Sequence, residues 1–342
     1  MTSPIRVAVY GAGGYTGKLV VAELIRRGIT PVLVGRDVGR LAAVDAPGAD
    51  RRRADSDDEA ALIQAFRDCD AVINCAGPFT VAGLTVVRAA VAAGCQYVDI
   101  AGEQLYLQQV FESVDASSGG VAVVPALNDD GLPSDLLASL VAERIEPLRD
   151  LVVGFQLIRG SAPPTRGTLR SALANLETFT TGGLGYADGR WDQRIPAYRT
   201  SLRFLDGEAV PVVKFPLPAV VTVPRHLPAR QVEGVTTADV VPGFAAVTPE
   251  LIESLPEGPP AESRRDAHWI IVVEATGEDG RQARGVVQGT DMQGSTAVIA
   301  VEGARRLVAD GTKSGVLAPA QAFDPKDFLE YLTGHGVHWS VE

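Results

Sequence analysis

Between residue 5 and about residue 126 the chain alternates short apolar, β-branched runs with segments whose apolar positions recur at helical spacing. The runs Ile5–Tyr10, Pro31–Val34, Ala71–Asn74, Tyr97–Ile100 and Val121–Val124 predict strands, and a short further candidate lies near Arg53. Their apolar character is nearly continuous rather than alternating, as strands covered by helices on both faces require. Thr16–Arg27, Asp58–Phe66, Leu84–Ala93, Gln104–Ser113 and Ser134–Arg144 predict helices. Strands and helices in alternation generate a parallel sheet with right-handed crossovers, so the fold class is α/β and doubly wound.

The second half reads differently. Apolar-rich runs at Leu151–Arg159, Ser201–Phe204, Val210–Phe215, Ala219–Val223, His268–Ala275, Arg284–Thr290 and Thr296–Val301 are separated by turn signals such as Asp206-Gly207 and Asp279-Gly280. They predict an α+β domain with a mainly antiparallel sheet and a helix around Thr168–Thr178. The division read from this is a nucleotide-type domain over 1–148, with 309–342 returning to pack on it, and a second domain over 149–308. Two stretches are irregular: 182–198, a lid candidate carrying Tyr186 and Trp191, and 254–266, whose Pro, Glu and Arg content suits a solvated excursion.

Composition narrows the class without naming a chemistry. With 342 residues, 46% hydrophobic and 21% charged, the chain has ample material for two folded cores. A net charge of −11 disfavours sequence-independent nucleic-acid binding, which depends on neutralising phosphates. The one basic run, Arg51-Arg52-Arg53, lies between Asp50 and Asp55 and is assigned no partner. Cys69, Cys75 and Cys95 form neither a C-x-x-C pair nor a disulfide framework, and Met1-Thr2-Ser3-Pro4 leads almost directly into a strand. Both features suit the cytoplasm. The apolar stretch Val86–Ala93 is interrupted by Arg88, so no membrane association is expected. His335 and His338 stand near the terminus without Cys or carboxylate companions, and no metal site is read from them.

The chemistry begins at Gly11-Ala12-Gly13-Gly14-Tyr15-Thr16-Gly17, which follows the strand ending at Tyr10 and opens a helix. That context is the dinucleotide-binding turn of a Rossmann-type sheet. Gly11 permits the sharp turn, Gly13 or Gly14 lets backbone approach a pyrophosphate, and Gly17 lets the helix lie close to the strand. The spacing is Gly11-x-x-Gly14-x-x-Gly17, a variant with Thr16 where a strict fingerprint has glycine; its hydroxyl would bond phosphate or cap the helix. After the second strand, Arg36 suits the 2′-phosphate of NADP, whereas Asp37 would suit the ribose hydroxyls of NAD. The reading favours NADP(H). Ala76-Gly77-Pro78 follows the strand ending at Asn74, at the carboxyl edge where such sheets bind ligands. The cofactor-binding set is therefore Gly11, Gly13, Gly14, Tyr15, Thr16, Gly17, Arg36, Asp55, Ala76, Gly77 and Pro78.

These segments, with Asn74-Cys75-Ala76-Gly77-Pro78-Phe79, Gly94 to Glu103 and Gly35-Arg36, resemble the saccharopine dehydrogenase (reductase)-like family of NAD(P)-dependent oxidoreductases, including its trans-acting enoyl reductase relatives. The resemblance covers about residues 5–145 and extends to Asp130-Gly131-Leu132-Pro133-Ser134-Asp135-Leu136, where relatives usually carry Ser in place of Gly131. Gly315 to Ala320 is similar to the family's closing segment, which implies a return to the nucleotide domain. Between Asp150 and Asp310 the match is weak, and substrate identity resides there.

Hydride transfer is the cofactor's chemistry, and the protein's part is to place the substrate and to supply or relay a proton. Tyr97, Asp99 and Asp130 are the catalytic candidates; Glu103 and Asp135 join them at the same predicted edge, and Arg166, Tyr186 and His226 are candidates from the second domain. Each also has a plain structural role open to it, as core, cap or helix-dipole partner. No Tyr-x-x-x-Lys relay occurs in the first domain. The leading expectation is an NADPH-dependent reductase of a C=C or C=N bond in a small or carrier-bound metabolite. The alternatives are a saccharopine-type amino-acid dehydrogenase, hinted at by Arg159, Arg166 and Arg170, and a non-catalytic NADP(H)-sensing protein. The broad second sheet predicts a homodimer.

Overall fold

The computed structural model describes residues 5–342 apart from 118, 159–162, 206 and 312. The opening residues 1–4, Arg159 and Asp206 lie outside the described residues. In chain order the first elements are β1 (Arg6–Tyr10), α1 (Tyr15–Arg26), β2 (Thr30–Gly35), α2 (Val38–Ala42), β3 (Asp50–Arg53) and α3 (Glu59–Phe66). They continue as β4 (Ala71–Asn74), α4 (Phe79–Ala92), β5 (Gln96–Asp99), α5 (Gln104–Ser113), β6 (Ala122–Val124) and α6 (Leu132–Ala142). Then come β7 (Leu148–Leu157), α7 (Arg166–Ala174), α8 (Leu176–Thr181), β8 (Gly185–Ala187), β9 (Arg190–Asp192), β10 (Ser201–Leu202) and β11 (Val210–Lys214). They are followed by α9 (Ala219–Thr222), β12 (Gln231–Thr237), α10 (Val241–Ala245), α11 (Pro249–Ser254), α12 (Ala261–Arg265) and β13 (His268–Gly277). The chain closes with β14 (Gln282–Thr290), α13 (Met292–Ala309), β15 (Gly315–Val316), α14 (Pro319–Ala322), α15 (Pro325–Thr333) and β16 (His338–Val341).

Two compact units result. The first takes the chain up to Ala101, Leu105–Asn128 and Gln293–Leu317; the second takes Gly102–Gln104, Asp129–Met292 and Ala318–Glu342. In the first, seven parallel strands stand in the order β15-β6-β5-β4-β1-β2-β3. The predicted apolar runs fill its middle: Val7, Ala8 and Val9 of β1, Val32, Leu33 and Val34 of β2, and Val72 and Ile73 of β4 are fully buried. Each such side chain of Val, Leu or Ile size contributes about 1.5–3 kcal/mol on burial. Helix α1 lays Val20, Val21 and Leu24 against this core. On the same unit, buried Glu302 of α13 accepts hydrogen bonds from Arg27 of α1 at 2.7 Å and from its own Arg305 and Arg306 at 2.9 and 2.7 Å. A carboxylate this deep requires such partners to offset its desolvation.

The second unit is a nine-stranded mixed sheet ordered β10-β11-β12-β7-β13-β14-β16, with the β8–β9 hairpin attached to β12. Among the described residues of this sheet only β7 and β12 run parallel, with Asp150 opposite Gln231; the other pairs are antiparallel. One face carries Val152, Val235, Ile270 and Val272, covered by Leu202 and Phe204. The other takes α6, and Gly285 is required there because a Cβ would stand 2.6 Å from Val141.

Several sequence expectations are revised. Ala219–Val223, read as a strand, is helical, and Thr296–Val301 lies inside the 18-residue helix α13. Both runs are buried almost all round, and in such runs periodicity does not separate strand from helix. The irregular stretch 182–198 contains the ordered hairpin β8–β9, paired to β12 through Tyr186 opposite Val232. The expected division at 148/149 differs from the observed units because α6 packs on β13 and β14 and so belongs to the second. Of the expected C-terminal return, Gly315–Val316 joins the nucleotide sheet beside β6, while residues from Ala318 onward lie in the second unit.

Candidate functional site

At the carboxyl edge of the first sheet, β1 stands between β4 and β2, and the turns leaving β1 and β4 meet. Gly11 adopts φ +81°, and a Cβ on it would come within 3.0 Å of Ala76 and 3.1 Å of the Cys75 carbonyl carbon. Gly14 N donates to the Gly11 carbonyl at 2.9 Å, closing the turn. Gly17 is the tightest position: a Cβ would sit 2.2 Å from Gly11 O, so any side chain would push α1 off β1. Gly13 packs under Arg40, whose guanidinium donates to Gly13 O at 3.2 Å and holds the turn from α2. The second turn begins with Ala76 N donating to the Asn74 side chain at 3.0 Å and passes through a cis Gly77-Pro78 peptide.

The helices that open from these turns share a feature. Neither α1, with Gly14 at its N-cap, nor α4, with Pro78 there, has a side-chain cap or an acidic residue in its first turn. By contrast α2 is capped by Asp37 and α3 by Asp58. An α-helix leaves its first N–H groups without intrahelical partners, and its dipole favours an anion there. Thus the start of α1 offers N–H donors to a phosphate, and the dipoles of both helices flanking the β1–β4 crevice favour one, at the switch point where strand order reverses. Thr16 lies in α1 itself and does not cap it, so of its two expected roles the hydrogen bond to phosphate is the one left open. The glycine cradle, which admits no Cβ, fits a dinucleotide pyrophosphate laid against backbone.

Beyond β2, Asp37 accepts the Arg40 N–H through Oδ1 at 3.0 Å as the α2 cap. Arg36 is exposed, and its guanidinium makes no hydrogen bond or ion pair among the described residues. Asp55, just past β3, accepts from Ser56 N at 2.8 Å. Next to it, burial raises the Tyr10 phenol above its ordinary value despite a side-chain hydrogen bond with Ser56.

The catalytic candidates are divided by the fold. Tyr97 and Asp99 do share a side of β5, as the two-residue strand period predicts, but both are fully buried. Asn74 donates to Tyr97 Oη at 3.1 Å, Tyr97 lies 3.0 Å from Tyr106 Oη, and Tyr106 donates to Asp99 Oδ2 at 2.7 Å. Asp99 Oδ1 accepts from the backbone of Ala101 and Ala126 at 3.1 and 2.9 Å. Burial raises the Asp99 carboxyl above its usual range against these bonds, and burial with the nearby carboxylate raises both phenols well above theirs. This chain is a closed hydrogen-bond network that ties β4, β5 and α5 together. Tyr106 and Asn74, its other members, carry no local sequence signal, since only the fold brings them to Tyr97.

Asp130, Asp135 and Glu103 belong to the second unit. Asp130 offers its carbonyl to the Ser134 hydroxyl at the start of α6. Glu103 accepts from Asn175 at 3.0 Å. Asp135 is fully buried, accepting from Ala320 N at 2.8 Å and bonding His226 Nε2 at 3.0 Å. Burial pushes the His226 imidazole down, but the Asp135 charge and hydrogen bond outweigh it and its value is raised. Beside His226 in the chain, Arg225 lies 4.4 Å over the Trp191 ring, which packs 4.9 Å from Tyr186. Arg166 instead clamps α7 to α11, through the carbonyls of Glu253 and Leu255.

Comparison with known proteins agrees with this geometry. Residues 7–124 match the family described as the saccharopine dehydrogenase NADP binding domain. A lipid droplet localized protein of Caenorhabditis elegans is 32% identical over 198 residues, 52% of this chain and 46% of that protein. A Mycobacterium tuberculosis protein whose name proposes a trans-acting enoyl reductase is 32% identical over 140 residues, 38% of this chain and 33% of that one. The chain thus spans less than half the length of these relatives. Apo saccharopine dehydrogenase (L-Glu forming) from Saccharomyces cerevisiae shares the fold, with a TM-score of 0.63 at 14% identity over 99% of this chain and 100% of that one. Residues 7–124 are thus similar to the saccharopine dehydrogenase NADP binding domain, and the chain shares the fold of a saccharopine dehydrogenase.

Proposed function

We propose that the chain is an NADPH-dependent reductase of a C=C or C=N bond in a small or carrier-bound metabolite. The observation that carries the cofactor choice is the division of labour at Arg36-Asp37. The carboxylate that would bind ribose hydroxyls is spent on the α2 cap, while the neighbouring guanidinium has no protein partner among the described residues. In this reading the Gly11–Gly17 turn and the first turns of α1 and α4 hold the pyrophosphate, Ala76-Gly77-Pro78 borders it, and Arg36 takes the 2′-phosphate. When bound, the nicotinamide supplies the hydride. The named enoyl reductase relative supports C=C reduction. The saccharopine-type alternative is less well supported, because Arg166 and Arg170 both engage Glu253 rather than leaving guanidinium groups for two substrate carboxylates.

Fluorescence titration with NADPH and NADH, on the wild type and Arg36→Ala, tests the cofactor. Preference for NADPH, lost in the variant, is the expected result; equal binding of both dinucleotides overturns it. Turnover of NADPH with a panel of enoyl thioesters and cyclic imines then separates a reductase from a cofactor-sensing protein. The closed Tyr97–Tyr106–Asp99 network, which presents no exposed proton donor on β5, is the observation that favours the sensing protein. Among the described residues no helix is long and apolar enough to cross a membrane. We place the protein in the cytoplasm, where Cys69, Cys75 and Cys95 would remain the free thiols they are here. Its sheet edges, β10 and β16, support a homodimer; sedimentation equilibrium showing only a 35.9 kDa species would exclude it.

A further inference from the structure

The basic run of β3 has three members with different surroundings. Arg51 turns back to the end of α2, donating to the carbonyls of Leu41 at 3.1 Å, Val44 at 3.1 Å and Ala46 at 3.2 Å. Arg52 reaches the end of α3, donating to the carbonyls of Ala65 and Arg67 at 2.9 and 2.7 Å and pairing with Asp50. Both place a cation on the carbonyl ends of short helices, where orphan acceptors and the dipole favour one. Neither is available to a ligand.

Arg53 is built otherwise. It closes β3 opposite Gly35, the last residue of β2, so it stands at the carboxyl edge of the sheet beside Arg36. It is exposed, and its Nε donates to Arg36 O at 3.3 Å, which ties its side chain to the Arg36 backbone. Its terminal nitrogens, like the whole Arg36 guanidinium, have no partner among the described residues. Neither guanidinium is paired with a carboxylate among the described residues; Asp55, two residues past Arg53, accepts from Ser56 N at 2.8 Å and, like Arg36, acts on the Tyr10 phenol. Asp37, the carboxylate next to Arg36 in sequence, is engaged as a cap.

Resting on the NADP reading above, we propose that Arg53 is the second arm of a two-guanidinium clamp on the 2′-phosphate of an adenine dinucleotide, with Arg36 the first. A phosphate monoester presents three acceptor oxygens, and the planar fork of each guanidinium matches two of them. The bond from Nε to the Arg36 carbonyl fixes the Arg53 side chain along the strand edge and leaves its terminal nitrogens for the ligand. The run thus divides into two arginines that hold helices and one that sets cofactor specificity.

The test is isothermal titration of the full chain with 2′,5′-ADP and with 5′-AMP, which differ only in the 2′-phosphate. Arg53→Ala should weaken 2′,5′-ADP about tenfold, as expected for loss of one charge-assisted bond, and leave 5′-AMP unchanged. It should also flatten the salt dependence of 2′,5′-ADP binding, while Arg53→Lys, which keeps charge without the fork, falls between. Arg88→Ala, an exposed arginine of α4, controls for bulk charge and should change neither ligand. An Arg53→Ala protein that weakens both ligands equally, or neither, overturns the clamp. If Arg36→Ala alone loses the preference for 2′,5′-ADP, the NADP reading stands and the second arm fails. If the wild type binds 5′-AMP as tightly as 2′,5′-ADP, the NADP reading itself has failed.

Discussion

At Asp37 one oxygen decides between two roles. Its Oδ1 accepts the Arg40 N–H three residues on, a bond that stabilises a helix start by about 0.5–2 kcal/mol. If that cap is its whole work, Asp37→Ala should lower the unfolding free energy by that amount and leave the ratio of NADPH to NADH affinity unchanged. A selective loss of NADH binding would instead return Asp37 to the ribose. The glycines nearby were legible from spacing because their reasons are steric and local: Gly17 faces Gly11 O, six residues back in the same turn. Arg53 was not legible. Three consecutive arginines look alike in sequence, and only the register of β3 against β2 shows which of them reaches the ligand edge.

Among elements, β4, β5 and α5 are joined by a directed chain of hydrogen bonds from Asn74 to Asp99. Tyr106 is its centre, and it also fills the space over Gly83, where a Cβ would stand 2.4 Å from its ring. Tyr106→Phe keeps that packing but removes the donor to Asp99 and the partner of Tyr97. Buried groups so stranded cost about 1–3 kcal/mol. A fall in urea midpoint of matching size, with NADPH affinity retained, is the expected outcome; a variant as stable as the wild type would mean the chain is not a structural tie. The strands of this unit were readable because each is a continuous apolar run bounded by turn residues. Helices α9 and α13 were not, because burial on all sides erased the periodicity that tells helix from strand. The place of Tyr97 and Asp99 at a strand's carboxyl end gives position along the strand but not depth, and both are fully buried.

Over the whole molecule, domain limits were the least legible feature, because each compact unit is assembled from three separate stretches of chain. In the second unit Asp135 joins three segments drawn from two of those stretches: α6 supplies the carboxylate, the segment after α9 supplies His226, and the C-terminal segment supplies the Ala320 N–H. The imidazole gains a partner on folding, so its folded-state pKa lies above the unfolded value of about 6.5. The folded state therefore binds this proton more tightly than the unfolded chain does. Its stabilisation is fully present below the unfolded pKa and is lost as pH rises through the folded one. His226→Gln retains a donor toward Asp135 but no titrating charge. Subtracting its unfolding free energy from that of the wild type at each pH cancels the groups common to both proteins. The difference should be largest below the unfolded value of about 6.5 and shrink as pH rises through the raised folded-state value; a difference that is flat or grows with pH would show that the His226–Asp135 pair does not hold these segments by charge.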